Sequence, residues 1–283
     1  MKQNHGTWYT LPLTMWISLF FVIPIAIVLL FSLLTRDTYG GVTWTFSLDA
    51  FTALANPAFV KVAMATLWIA FASTVLTIVI ALPCSYYMAR SSNNTMLLFL
   101  IVIPFWVNFL IRVYAWLAVL GHEGFLNDIL LATGLVKEPI TFLYNQWAVI
   151  IVHVYTYLPY AILPLFSTIE KFDFSLLEAA RDLGASHQQS LRKVMIPNIR
   201  SGIITAILFT FIPTFGSYAI PELVGGADSY MLGNVIANQL LVGRNWPLAS
   251  SISVVITLIT SIGLLVYFLY NRQVERTVVL EEG

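Results

Sequence analysis

Six stretches of this chain run about 20 residues or longer almost without charge: near 10–34, 62–88, 96–120, 141–169, 201–220 and 248–271. Only the third holds an Asp, Glu, Lys or Arg, namely Arg112. About 20 apolar residues of helix cross the hydrocarbon core of a bilayer. Lipid offers no water to a backbone N–H or C=O, so a crossing segment must be a helix or part of a closed barrel, and the period-2 alternation of a barrel is absent here. The expected fold class is an all-α integral membrane protein with six transmembrane helices. Composition agrees, with 59% of the 283 residues hydrophobic and 10% charged, against roughly 45–50% apolar in a soluble domain. The first stretch is longer than a signal-peptide core and no A-x-A site follows it, so it is read as a retained span.

Formal net charge is zero, so nothing draws the chain as a whole to nucleic acid, and the positions of its charges matter instead. Sorting lysines and arginines by alternate loops puts Lys2, Arg90, Lys171, Arg181, Arg192, Lys193, Arg200, Arg272 and Arg276 on the side of the N-terminus, and Arg36, Lys61, Lys137 and Arg244 on the other. The positive-inside rule then places both termini and the 170–200 loop in the cytoplasm. The lone cysteine, Cys84, lies in an apolar run and reads as a small packed side chain. Prolines recur in or beside the spans, at Pro12, Pro24, Pro83, Pro104, Pro159, Pro164, Pro213 and Pro221, where each tends to kink its helix.

The 170–200 loop is too long for a tight connection and too well punctuated for disorder. Ser175 and Glu178 fit an S-x-x-E capping box, which predicts a helix start. Leu176, Ala180 and Leu183, with Leu177 beside them, make an apolar stripe. Gly184 stands where a helix enters the left-handed conformation. Ser186 and Gln189 form a second capping box opening a helix through Met195, which the Ile196-Pro197 pair is expected to end. The loop reads as helix, glycine turn, helix. Such short helices are marginal in water, so the stripe needs a surface to cover it, in this chain or in a partner.

EAARDLGASHQQSLRKVMIP, from Glu178 to Pro197, resembles the EAA loop of permease subunits in binding-protein-dependent ATP-binding-cassette importers: E-A-A, three residues, G, nine residues, I-x-L-P. Val194 and Ile196 depart from that pattern conservatively. The resemblance implies a type I importer permease fold whose cytoplasmic coupling helix docks on an ATPase subunit through Glu178, Ala179, Ala180, Leu183, Gly184, Ala185 and Pro197. It implies a domain order of tail, first helix and outer loop over 1–60, a five-helix permease domain over 61–272, and a cytoplasmic tail over 273–283. Further stretches, IPFWVNFLIRVYAW (103–116), LPLFSTIEKFDFSLLEAARDLGAS (163–186) and LGNVIANQLLVGRNWPLASS (232–251), are similar to B-type permease subunits of spermidine/putrescine importers.

That resemblance implies a polyamine cargo brought by a periplasmic binding protein, an ATPase homodimer as motor, a second permease subunit completing the path, and a bacterial inner-membrane location. No cofactor belongs to this chain; ATP and Mg would be bound by the ATPase. Consistent with this, no G-x-x-x-x-G-K-[ST] and no Gly-Lys pair occurs. Aromatic faces guide ammonium groups without trapping them, and the candidates for a substrate path are Trp106, Tyr114, Tyr155, Tyr157, Tyr160, Phe211, Phe215 and Tyr218, with Asn108 as a polar wall residue. In-span aromatics also serve as lipid-facing or core groups. Arg112 is read as structural, snorkelling or pairing with the second subunit. Glu222 and Asp228 read as outer-loop acids, either solvated charges or groups that attract a polycation or meet basic residues on the binding protein; the Gly225-Gly226 pair reads as a turn, and VIANQLL as a short surface helix.

Other readings remain open at this stage. A permease for another organic cation or an oxyanion fits the same coupling loop. A secondary transporter would need mid-membrane ionisable residues and repeats, and an intramembrane enzyme would need a motif such as H-E-x-x-H or G-x-S-x-G, neither of which occurs. His153, the only histidine within a span, reads as a core residue.

Overall fold

The computed structural model describes residues 5–281, with side-chain surroundings for residues 10–265. Lys2, the side chains of Arg272 and Arg276, and the end of the expected 273–283 tail lie outside the described residues. The chain divides into two compact units, residues 62–234 and residues 1–61 with 235–283. Five helices are long and apolar enough to cross a membrane, and a bent pair, His187–Asn198 and Arg200–Phe215, makes a sixth if its 73° bend lies within one span.

In the unit that holds both ends of the chain, α1 (His5–Ile17) passes through a π segment, Ser18–Val22, into α2 (Ile23–Ser32), with Pro24 in its first turn. An antiparallel hairpin follows, β1 (Leu34–Arg36) against β2 (Val42–Phe46), in register Thr35 with Thr43 and Arg36 with Val42. Gly40 and Gly41 turn it at φ of +95° and +93°, a backbone region that costs an L-residue a Cβ clash. Within the expected outer loop, then, the chain forms a two-stranded hairpin. After α3 (Asp49–Ala53) the chain starts α4 (Pro57–Arg90). The last helix, α15 (Trp246–Glu281), packs along α2, with Trp246 stacked on Phe31 at 5.8 Å. It runs unbroken through the expected boundary at 272. Arg36 Nη2 donates to the Gly243 carbonyl at 2.7 Å and Ser251 Oγ to the Ala50 carbonyl, which holds hairpin and α3 to the α15 end.

The other unit continues α4, then runs α5 (Asn94–Val102), α6 (Phe109–Leu120), α7 (Phe125–Ala132), α8 (Gln146–Glu170), α9 (Ser175–Asp182), α10 (His187–Ser190), α11 (Ile196–Asn198), α12 (Arg200–Phe215), α13 (Ala219–Val224) and the start of α14 (Leu232–Leu241). The expected continuous third span is broken. A 3₁₀ turn, Ile103–Trp106, carries Pro104, Val107 is extended, and Asn108 Oδ1 accepts from Leu110 N–H at 2.9 Å to start α6 afresh. The proline removes a donor and the asparagine supplies a cap, so two local preferences outweigh apolar continuity. Elsewhere the predicted kinks do not interrupt the helices: α4 runs through Pro83, α8 through Pro159 and Pro164, and α12 through Pro213.

α8 is the axis of this unit and packs along α12. Their approach is close at Gly202, where a Cβ would sit 2.7 Å from that of Thr168. One apolar core joins Val113 and Leu120 of α6, Ala148 to Val152 of α8, and Ile220 and Val224 of α13. A second joins Ala81 and Met88 of α4, Ala161 to Ile169 of α8, Leu177 of α9, Met195 and Ile199. Cys84 is exposed on α4, which corrects the packed reading; its neighbour Ser85 is the residue turned inward, donating to the Ile162 carbonyl.

Candidate functional site

The 170–200 loop has the predicted helix–glycine–helix form, with a different N-terminal cap. α9 starts at Ser175, but its hydroxyl caps nothing; Asp173 Oδ1 accepts from Ser175 N–H at 3.0 Å and takes that place. The bonds from the Ser175 hydroxyl and N–H hold the Asp173 carboxyl below its ordinary pKa. Glu178 is therefore not engaged in a capping box and stays exposed. The expected stripe divides as well. Leu177 is the buried residue, while Leu176 and Leu183 remain 44% and 89% exposed and Ala180 is half-buried. Ala179 is also exposed. On two turns of helix a one-residue shift of the inward face is 100°, which a four-residue stripe does not resolve.

Gly184 has a φ of +89° and closes α9 as expected. Ala185 N–H donates to the Ala180 carbonyl at 3.0 Å and Gly184 N–H to the Arg181 carbonyl at 2.9 Å, the paired bonds of a Schellman motif. The second capping box is present: Gln189 N–H donates to Ser186 Oγ and Ser186 N–H to Gln189 Oε1. The following helix does not end at Ile196-Pro197. It widens into a π segment over Leu191–Met195, with Ile196 N–H bonding to the Leu191 carbonyl, and carries Pro197 in a last turn to Asn198. Widening the turn before the proline relieves the collision its ring would make with a carbonyl four residues back. The 73° bend comes after that, at Ile199. Leu82, Pro83 and Tyr86 of α4 face Leu191, Met195 and Ile196 across an apolar recess of about 310 Å³.

The aromatic candidates fall into separate groups. Phe105 meets Tyr160 at 5.5 Å, Tyr160 meets Tyr157 at 6.0 Å, and Tyr157 stacks on His153 at 5.9 Å, so one run of rings follows α8 and reaches the broken third span. Tyr155 pairs instead with Trp116. Phe211 stacks on Phe215, but Phe215 is buried and does not front open space. Trp106, Tyr114 and Tyr218 are 79%, 56% and 43% exposed. Asn108 spends its side-chain carbonyl on capping α6. His153 is wholly buried, with Nδ1 bonded to the Val149 carbonyl at 2.8 Å and Nε2 buried without a partner.

Sequence reading missed three residues. Phe105 lies under the Arg112 guanidinium, whose Cζ is 4.4 Å from the ring centroid, and Arg112 Nε and Nη1 are buried without an acceptor. Asn127 is wholly buried and ties Gly121, His122 and Ile140 together through four hydrogen bonds. Asn234 does the same between α13 and α14. Buried asparagines whose partners lie in other elements or loops leave no recurring local pattern; only their occurrence in apolar surroundings signals them.

Residues 78–279 match the family described as binding-protein-dependent transport system inner membrane component. The spermidine/putrescine transport system permease protein PotB of Escherichia coli is 38% identical over 268 residues, 94% of this chain and 98% of that protein, and its counterpart in Haemophilus influenzae is 38% identical over 94% of each chain. The inner membrane ABC transporter permease protein YdcU of Escherichia coli is 31% identical over 77% of this chain and 74% of its own length. Among solved structures, a bacterial ABC transporter involved in the import of the acidic polysaccharide alginate aligns over 95% of this chain and 96% of its own with a TM-score of 0.76 at 15% identity, a likeness of fold alone. With a family match across most of its length and near full-length relatives, the chain belongs to the inner-membrane permease components of binding-protein-dependent ABC import systems.

Proposed function

We propose that this chain is a permease subunit of an ABC importer that moves polyamines, spermidine and putrescine, from a periplasmic binding protein into the cytoplasm. The observation that carries the reading is 38% identity across 94% of the chain to a spermidine/putrescine permease. Hydrolysis of ATP, bound with Mg by a separate ATPase homodimer, drives the cycle. A second, homologous permease subunit completes the path, both termini are cytoplasmic, and residues 61–272 form the permease domain.

Docking on the ATPase runs through the 170–200 loop. Support comes from the uncovered apolar residues Leu176 and Leu183 beside Glu178 and Ala179, since exposed apolar side chains on so short a helix gain most by burial in a groove. The Schellman turn at Gly184 and Ala185 and the proline turn at Pro197 fix how that face is presented. Cargo passes along aromatic faces, with Trp106, Tyr114, Tyr157, Tyr160, Phe211 and Tyr218 as contacts, Asn108 beside them, and Phe215 backing Phe211. An ammonium group gains about 0.5–2 kcal/mol at each ring, enough to guide and too little to hold.

Uptake of labelled spermidine and putrescine in cells deleted for this subunit, with and without the restored gene, tests the assignment. Restored uptake of polyamines alone is expected. Uptake that ignores the deletion, or restoration of an unrelated solute only, refutes it.

A further inference from the structure

Glu222 lies on α13, at the end of the unit opposite the 170–200 loop: α13 shares a core with Val149 near the start of α8, whereas Leu177 and Met195 share one with Ile169 at its end. Its carboxylate is exposed, yet one oxygen is held. Oε2 accepts from Asn234 Nδ2 at 2.7 Å, and Asn234 is wholly buried. The same amide donates to the Tyr218 carbonyl at 3.2 Å, and Asn234 Oδ1 accepts from Met231 N–H at 3.2 Å, so the asparagine has one orientation. The ground beneath is firm. A Cβ at Gly233 would run into the Ser217 carbonyl, which presses the start of α14 onto the turn before α13.

Glu222 N–H donates to the Tyr218 carbonyl at 3.1 Å, which sets Tyr218, the residue that leads into α13, one turn ahead of Glu222. The Tyr218 side is 43% exposed. Among the described residues Glu222 has no cationic partner, and its second oxygen has no donor. A neutral amide would satisfy Asn234 equally well, so the hydrogen bond does not account for the charge. What remains is an anionic oxygen with a fixed partner oxygen, open to solvent, one turn from an aromatic ring. A carboxylate accepts charge-assisted bonds from an ammonium, and the ring face attracts the same charge.

We infer that Glu222 and Tyr218 form an ammonium subsite of the permease, which receives one amino group of the polyamine at that end of the unit, with Asn234 as the residue that positions the carboxylate. The subsite rests on the polyamine reading and deepens it: aromatic faces guide the cargo along the bundle, and one charged group selects for an amine over a neutral or anionic solute where the path begins or ends.

The test is direct binding of labelled spermidine to the complete permease–ATPase complex in nanodiscs, without the binding protein, alongside uptake in cells. Glu222→Gln keeps an acceptor for Asn234 and removes only the charge, so the complex assembles while the dissociation constant rises about tenfold. Glu222→Asp, which keeps the charge, stays closer to wild type. Asn234→Ala weakens binding too, and combining it with Glu222→Gln adds little, since both act through one carboxylate. Wild-type affinity in an assembled Glu222→Gln complex, or no spermidine binding to the wild-type complex while cells still import it, overturns the subsite alone. Absence of polyamine uptake by the wild type overturns the subsite together with the assignment it rests on.

Discussion

Replacing Gly184 by valine isolates the backbone of the 170–200 loop from its packing. A Cβ built at Gly184 meets nothing within 4 Å, so the new side chain has no neighbour to displace. The cost lies in the φ of +89°, which a β-branched residue tolerates poorly, at about 1–2 kcal/mol for an L-residue in the left-handed region. That cost falls on a turn held by two hydrogen bonds, from Ala185 to Ala180 and from Gly184 to Arg181, and on a helix with a single buried side chain, Leu177. A penalty of this size lowers the ratio of native to non-native turn by a factor of roughly 5–30. Paired measurement of spermidine uptake and ATP hydrolysis in proteoliposomes should show uptake reduced, by that factor at most, while hydrolysis continues uncoupled, with insertion and assembly unchanged. Gly184→Asn, which accepts the left-handed region more readily, should fall between. Wild-type coupling in the valine variant refutes the reasoning, as does an asparagine variant as damaged as valine, since that pattern points to the side chain and not the backbone.

Leu183→Asp, at a site 89% exposed, should leave permease stability within about 0.5 kcal/mol yet abolish co-purification of the ATPase; Leu177→Asp, at 2% exposure, should instead deplete folded permease by leaving a charge unpaired in the core. If the two behave alike on size-exclusion chromatography, the division of the α9 faces is wrong. Trp106→Ala, at a ring 79% exposed, should cut uptake without loss of assembly, and lost assembly would make Trp106 a packing residue. Gly202→Val should lower the thermal stability of the complex by several degrees, because its side chain would push α12 off Thr168 of α8; an unchanged melting temperature excludes tight packing there.

Much of this architecture was legible from local chemistry. Nearly charge-free windows of about 20 residues or more marked the candidate spans, and in the loop the Ser186–Gln189 box and the turn at Gly184 formed as their residue types require. What was not legible involved competition or distance. Asp173 and Ser175 both offer a capping oxygen within three residues, and the carboxylate won. At the third span Pro104 and Asn108 together broke a helix that neither residue alone demanded. The inward turn of Leu177 in place of Leu176 depends on a core assembled from Met88, Ile169 and Met195, residues that belong to other elements. The buried amides Asn127 and Asn234 are invisible for the same reason, since their partners come from other elements.

The behaviour of α8 links these local features to function. It carries two prolines, Pro159 and Pro164, and still runs as one helix of 25 residues, about 37 Å long. Both apolar cores are built on it, Val149 to Val152 in one and Ala161 to Ile169 in the other. The loop helix is therefore anchored through Leu177 to one end of a rod whose other end packs against the α13 that bears Glu222. The interruptions lie off that rod, at the capped break before Asn108 and at the 73° bend after Asn198. A packed core transmits displacement because it has few voids to absorb it, and helices bend where backbone bonds are already missing. Under the docking proposed above, a stroke delivered to α9 would be passed to the far end of the unit through α8, with the broken third span and the bend at Ile199 as the places where the helix axes can change angle.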